Sequence, residues 1–246
     1  MSLLAAAAAL VSVVLPAPAA VAQPGNPPCP AVDYDFSGGN WEPSNGVVAG
    51  VRAPIKIRKD GLLCSNTQHD SFVAIWIGIG QMHGDHLAQI GFDHHYNKDG
   101  NPIFCRFWAI GTGFPHYYNC KQIADDTSIF FKIESFQAGT SSLYKIQDCG
   151  TGGDFSNCTT ENATQAAFGS ARGETVSETD HGCASFMLGA TSDKVIFGNS
   201  NWRLVGNNGA TWGPRAWDLI SPRCSSDYSA ASTSNGIDTW DPRNAG

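Results

Sequence analysis

The pattern that most limits what this chain can become is short alternation. In "SIFFKIESF", Ser128 to Phe136, apolar and polar residues take turns, the period of a strand with one face packed and the other wet. Similar runs read as strands: "VVAGVRAPIKI" (Val47 to Ile57), "SFVAIWIGI" (Ser71 to Ile79), "LAQIGF" (Leu87 to Phe92), "IFCRFWAI" (Ile103 to Ile110), "SLYKIQDC" (Ser142 to Cys149), "KVIFGN" and "WRLVG". Turn residues separate them, as in "NKDGNP" before Ile103 and "QAGTS" between two strands of a hairpin. No stretch sustains a 3.6-residue apolar period, and the best helix candidate is the short "ENATQAAFG". Many short strands with Gly-rich turns predict two packed antiparallel sheets: an all-β, jelly-roll or concanavalin-like sandwich. The 27 glycines suit such turns.

Eight cysteines, Cys29, Cys64, Cys105, Cys120, Cys149, Cys158, Cys183 and Cys224, lack any Cys-x-x-Cys spacing, which argues for disulfides rather than zinc. Cys149 and Cys158 enclose "GTGGDFSN" and suit a loop staple; the other pairings stay open. The start, "MSLLAAAAALVSVVLPAPAAVAQPG", has an apolar core from Leu3 to Leu15 and a small-residue cleavage site at Ala20 to Ala22, without a preceding basic residue. It reads as a secretory signal over residues 1–22. An irregular lead-in is expected over 23–39, a sandwich domain over 40–224, with a long loop from Cys149 to Gly173, and a flexible tail over 225–246. Export, disulfides and no membrane attachment after cleavage belong to one expectation, a secreted monomer. Sequons at Asn157 and Asn162 are available for glycosylation. The net charge of -7, with no basic run longer than "KIRK" (Lys56 to Lys59), argues against binding to a phosphate backbone.

Two features carry chemistry. His83, Asp85, His86, Asp93, His94 and His95 are metal-ligand types in one window. In a strand, however, His94 and His95 point to opposite faces, and a catalytic zinc needs three converging ligands. The reading here is therefore no metal and no cofactor. The second feature is Gln89, a carboxamide between apolar neighbours in "HLAQIGFDHH".

The order "IWIGIGQ", "LAQIG", "DGNPIFCRFWAI" resembles the glutamic peptidases, the eqolisins. Trp76, Gly78 and Ile79 match the family's W-x-G-I-D-G strand, Gln89 and Gly91 its Q-T-G element, and Asp99, Gly100, Phe104, Phe107 and Trp108 its aromatic strand. "NWEPSNGVVAGVRAP" matches the opening and places Asn40 and Trp41 near the site; "DTSIFFKIESFQAGTSSLYKIQD" looks like the central hairpin. Counting back from "VIF" lands on "GETVSE", where Glu174 and Glu178 repeat a two-glutamate pattern. Departures fall on supporting positions: Gly80 and Ala109 stand where the family has acids, Thr175 and Val51 where it has tryptophans. The resemblance implies a peptidase active at acidic pH on protein or peptide substrates. Glu178 would be its general acid/base and Gln89 the donor to the oxyanion, with Asn40, Trp41, Trp76 and Trp108 around the substrate.

That pairing has a physical logic. Amide hydrolysis needs an activated water and a donor for the developing oxyanion, and a neutral carboxamide donates without bringing charge. Binding without catalysis is the alternative. Tryptophans stacking on sugars, in "NSNWRLVGNNGATWGPRAW" for example, would make a noncatalytic carbohydrate- or surface-binding sandwich with a polysaccharide partner.

Overall fold

The computed structural model describes residues 28–43, 47–65, 71–81, 86–120, 124–138, 141–198, 201–205, 212–213, 218–234 and 236–244. The signal-like segment, His83 and Asp85 lie outside them. The strands, in chain order, are β1 (Asp35–Trp41), β2 (Val47–Lys56), β3 (Phe72–Gly80), β4 (Leu87–Tyr96), β5 (Pro102–Ile110), β6 (His116–Tyr118), β7 (Ser128–Ala138) and β8 (Ser141–Asp148). They continue with β9 (Thr159–Ala166), β10 (Arg172–Thr179), β11 (Val195–Gly198), β12 (Asn201–Val205), β13 (Trp212–Gly213), β14 (Asp218–Ile220), β15 (Ser229–Thr233) and β16 (Gly236–Trp240). Among the described residues the only helical element is a 3-10 turn at Gly182–Ala184.

The strands form two antiparallel sheets. One runs β14-β1-β10-β3-β4-β5-β6; the other runs β15-β16-β11-β2-β7-β8-β9, with β12 paired to β2 and β13. The alternation explains the packing. Val73, Ile75, Ile77 and Ile79 of β3 meet Val51, Ala53 and Ile55 of β2 and Ile129, Phe131 and Ile133 of β7 in one buried core. Removing such side chains from water, at about 25 cal/mol per Å² of apolar surface, holds the sheets face to face. The disulfides join Cys29–Cys64, Cys105–Cys120, Cys149–Cys158 and Cys183–Cys224. Each closes a loop and is worth about 2–4 kcal/mol against the unfolded chain. Cys105–Cys120 ties β5 to the segment after β6, at the edge that borders the site.

Several expectations are corrected. The lead-in is not irregular up to residue 39, because β1 begins at Asp35. "DFSGGNW" looks like a turn, yet an added Cβ at Gly38 would lie 2.2 Å from the Thr175 carbonyl oxygen, so the glycine permits a close strand approach. The helix candidate "ENATQAAFG" begins inside strand β9, which also interrupts the expected Cys149–Gly173 loop. The tail is not free either. β15 and β16 extend the second sheet, and Arg243 lies over the Phe186 ring at 4.1 Å. Its guanidinium donates to Asp241 at 2.7 and 3.0 Å and to the Ser185 carbonyl at 2.9 Å. No helix among the described residues is long and apolar enough to cross a membrane.

Candidate functional site

The outward face of the first sheet carries the candidate groups, and strand register places each of them. On β3, Gly78 pairs with Gln89 of β4 on one side and with Glu174 of β10 on the other. Ala74 likewise pairs with Asp93 of β4 and Glu178 of β10. Directly opposed residues share a face, so this face presents two rungs, Glu174–Gly78–Gln89 and Glu178–Ala74–Asp93, with Trp76 between them. Two strand spacings separate the members of a rung by roughly 10 Å at Cα, and the rungs lie about 13 Å apart along the strand. Gly78 leaves room for the indole: its missing Cβ would meet Trp76 Cζ3 at 2.8 Å. Beneath the polar groups, Ala74, Trp76, Phe107 and Val176 form a small packed floor.

Two cavities open on this floor. The smaller, about 110 Å³, is lined by Phe36, Trp76, Leu87, Gln89, Arg172, Glu174, Val176, Glu178 and Ile220. The larger, about 510 Å³, includes Gln89, Asp93 and Glu178 within an aromatic wall. Gln89 and Glu178 line both cavities, whereas Glu174 lines only the smaller one.

The electrostatics are unusual for a surface recess. Trp76 Nε1 donates to Glu178 Oε2 at 2.6 Å. Burial nevertheless pushes the Glu178 carboxyl up to about 8; the indole bond opposes this, while Asp180, Glu174 and Asp93 add to it. Burial also raises Asp93, against hydrogen bonds from His95 and Tyr117. His95 Nδ1 lies 2.7 Å from Asp93 Oδ1. Glu174 is raised by burial and held back by Arg172, whose Nε stands 2.8 Å from its carboxylate. Carboxyls raised together by desolvation and mutual repulsion mark this recess as a candidate site.

Of the sequence candidates, Gln89, Trp76 and Glu178 share this face, with Gln89 and Glu178 at diagonal corners of the two rungs, roughly 16 Å apart at Cα, and Trp76 between them. Asn40 shares the face, paired with Glu174, but lines neither cavity. Trp41 and Trp108 do not join them. Both alternate to the inner side and pack on the main core, and Trp108 stacks on His116 at 4.0 Å. The aromatic wall of the larger cavity is made instead by Tyr34, Phe36, Phe72, Phe107 and Tyr117. The histidine window disperses as alternation requires. His94 turns inward and stacks on Phe104 at 4.0 Å, with burial lowering its pKa to about 4. His95 faces outward beside Asp93, and His86 packs edge-on against Phe168. Among the described residues, the one group of metal-ligand types with close donor atoms is Cys29, Cys64 and His181. Its two cysteines are joined to each other, so that group is no ligand set. In the asparagine-rich segment, Trp212 packs against the Arg52 guanidinium; Trp217 lies outside the described residues. Asp93 as a site group was hidden in the histidine window, and Phe36 in the glycine-rich lead-in.

No family model and no curated protein matches the chain. Among solved structures, it is similar to scytalido-glutamic peptidase with a peptide-based transition state analog, at a TM-score of 0.53 and 13% identity over 86% of this chain and 100% of that one. A second structure of the same enzyme, with a transition state analog inhibitor, gives a TM-score of 0.56 at the same identity and coverage. At this identity the likeness speaks for the fold alone.

Proposed function

We propose that the chain is a secreted endopeptidase that hydrolyses peptide bonds with Gln89 and Glu178 acting on one water and one carbonyl. The observation that carries this reading is that Gln89 and Glu178, far apart in sequence, both line the two cavities on one face. The Gln89 amide would donate to the oxygen of the tetrahedral intermediate, a contribution commonly worth about 3 kcal/mol. Ionised Glu178 would take a proton from water and return it to the leaving amine. Trp76 holds the carboxylate and steadies its charged form. The signal-like start and the four disulfides support an oxidising destination.

Glu174 is the competing base, since register sets it level with Gln89. Glu178 is preferred because it borders both cavities and is not tied to an arginine. The elevated Glu178 also qualifies the acid-range activity that the resemblance implies. A carboxyl that ionises near 8 is protonated in acid, so the substrate-free enzyme gains its base only as pH rises.

The test is cleavage of an unfolded protein, followed by release of new amino termini from pH 3 to 9. Wild type should cleave. Glu178→Gln should not, and Glu174→Gln should keep more activity than Glu178→Gln. No cleavage by wild type at any pH would remove the hydrolase reading, and the reverse order of the two glutamate variants would move the base to Glu174.

A further inference from the structure

The larger cavity has a composition that the hydrolytic step does not need. Its walls are five aromatic rings, Tyr34, Phe36, Phe72, Phe107 and Tyr117, and its lining among the described residues holds two carboxyls, Asp93 and Glu178, with no lysine or arginine. Asp93 and Glu178 flank Ala74, whose methyl leaves a hollow between them. Asp93 is 3% exposed. It is held by His95 at 2.7 Å and by Tyr117, so its position is fixed before anything binds. Aromatic faces around a fixed carboxylate attract an organic cation and reject an anion.

We infer that the larger cavity receives a lysine or arginine side chain of the substrate, with Asp93 as the carboxylate that holds its charge. The inference rests on the hydrolytic reading for its role in catalysis, though not for binding itself. About 510 Å³ is ample for one such side chain. The aliphatic stem would lie on the rings, and the charged head would reach the Ala74 rung.

A cation there also acts on the chemistry. The groups around Glu178 are Asp93 on β4, Glu174 and Asp180 on and after β10, Tyr34 before β1 and Tyr117 on β6; Arg172 is engaged with Glu174, and His95 with Asp93. A lysine head beside Asp93 brings a positive charge that favours ionised Glu178, against the burial that raises its pKa and the smaller repulsion from Asp93 that adds to it. A basic substrate would thus ionise its own general base at lower pH than an uncharged one.

Two measurements test this. Binding of Nα-acetyl-lysine amide and of its uncharged isostere Nα-acetyl-norleucine amide to the whole chain is read by tryptophan fluorescence, and it needs no catalysis. Hydrolysis is then compared for two peptides that differ only by lysine or norleucine beside the scissile bond. Lysine is expected to bind at least tenfold tighter, to be preferred at least tenfold in kcat/KM, and to move the ascending limb of kcat about one pH unit lower. Asp93→Asn should collapse the preference. Equal binding of the two amides by wild type overturns the inference whether or not the enzyme cleaves. Selective binding without cleavage supports the cavity and leaves the hydrolytic reading to fail alone. If Asp93→Asn does not fold, the wild-type amide comparison still decides.

Discussion

Trp76 donates its indole N–H to Glu178 over 2.6 Å, and this bond opposes the burial that keeps the carboxyl neutral. The donor stabilises only the ionised form. Trp76→Phe removes it and should raise the Glu178 pKa by roughly one to two units, since a hydrogen bond to a charged group is worth about 1.5–3 kcal/mol. The ascending limb of the pH–kcat/KM profile should move to higher pH by that amount. An unmoved limb would show that Glu178 does not set it.

Stability should fall between pH 6.5 and 8. Glu178 has a folded pKa of about 8 against an ordinary 4.5, so in this window the folded chain holds a proton that the unfolded chain has released. More bound protons in the folded state mean that stability drops as pH rises, by about 2 kcal/mol across the window from this group. Below pH 6.5 the inward His94, lowered to about 4, works the other way, which is why the window starts there. Asp126 and Asp154 shift down at the surface, where solvent leaves them little weight. Calorimetric Tm from pH 6.5 to 8 should decline in wild type and stay flatter in Glu178→Gln. A Tm that rises over this range, or the same slope in both, would contradict the buried-acid account.

The C-terminal segment should matter to folding. Arg243 pairs with Asp241, which is 0% exposed, and lies between the Phe186 and Tyr228 rings. Arg243→Ala leaves Asp241 buried without its cation and should cost about 3 kcal/mol, or roughly 6–12 °C in Tm. A change under 2 °C, roughly the effect of a neutral surface substitution, would return this segment to the loose tail expected from its sequence.

How much of this was legible follows from what each strand buries. β3 and β7 announce themselves because isoleucine, valine and phenylalanine alternate with largely small or polar residues facing out. The turn "NKDG" was equally plain: Asn97 Oδ1 accepts from the Asp99 and Asn101 N–H groups, and Gly100 takes φ 75°. β10 was the hard case. Its inner residues are Thr175, Ser177 and Thr179, and Ser177 hydrogen-bonds Thr239 at 2.6 Å inside the sandwich. Small hydroxyls within and glutamates without give a strand no hydrophobic signal, so "RGETVSET" is not among the strands read from the sequence. β15, "SAAST", hides in the same way behind serine and alanine, whereas β16, "GIDTW", has only Ile237 as a buried apolar signal over five residues. At the site, family spacing singled out Gln89 and Glu178. The faces of Trp41 and Trp108 depend on which parity of β1 and β5 looks inward, and aromatic residues occur at both parities of these strands.

The account stands or falls on Gln89 and Glu178 serving one reaction step. The direct measurement is kcat/KM for one peptide with wild type, Gln89→Ala, Glu178→Gln and the double variant. Groups that act as a unit are not additive. Gln89→Ala should therefore lose about 10²–10³-fold, Glu178→Gln more, and the double variant no more than the worse single. Losses that multiply, or a single variant as active as wild type, would show that the two side chains do not work together.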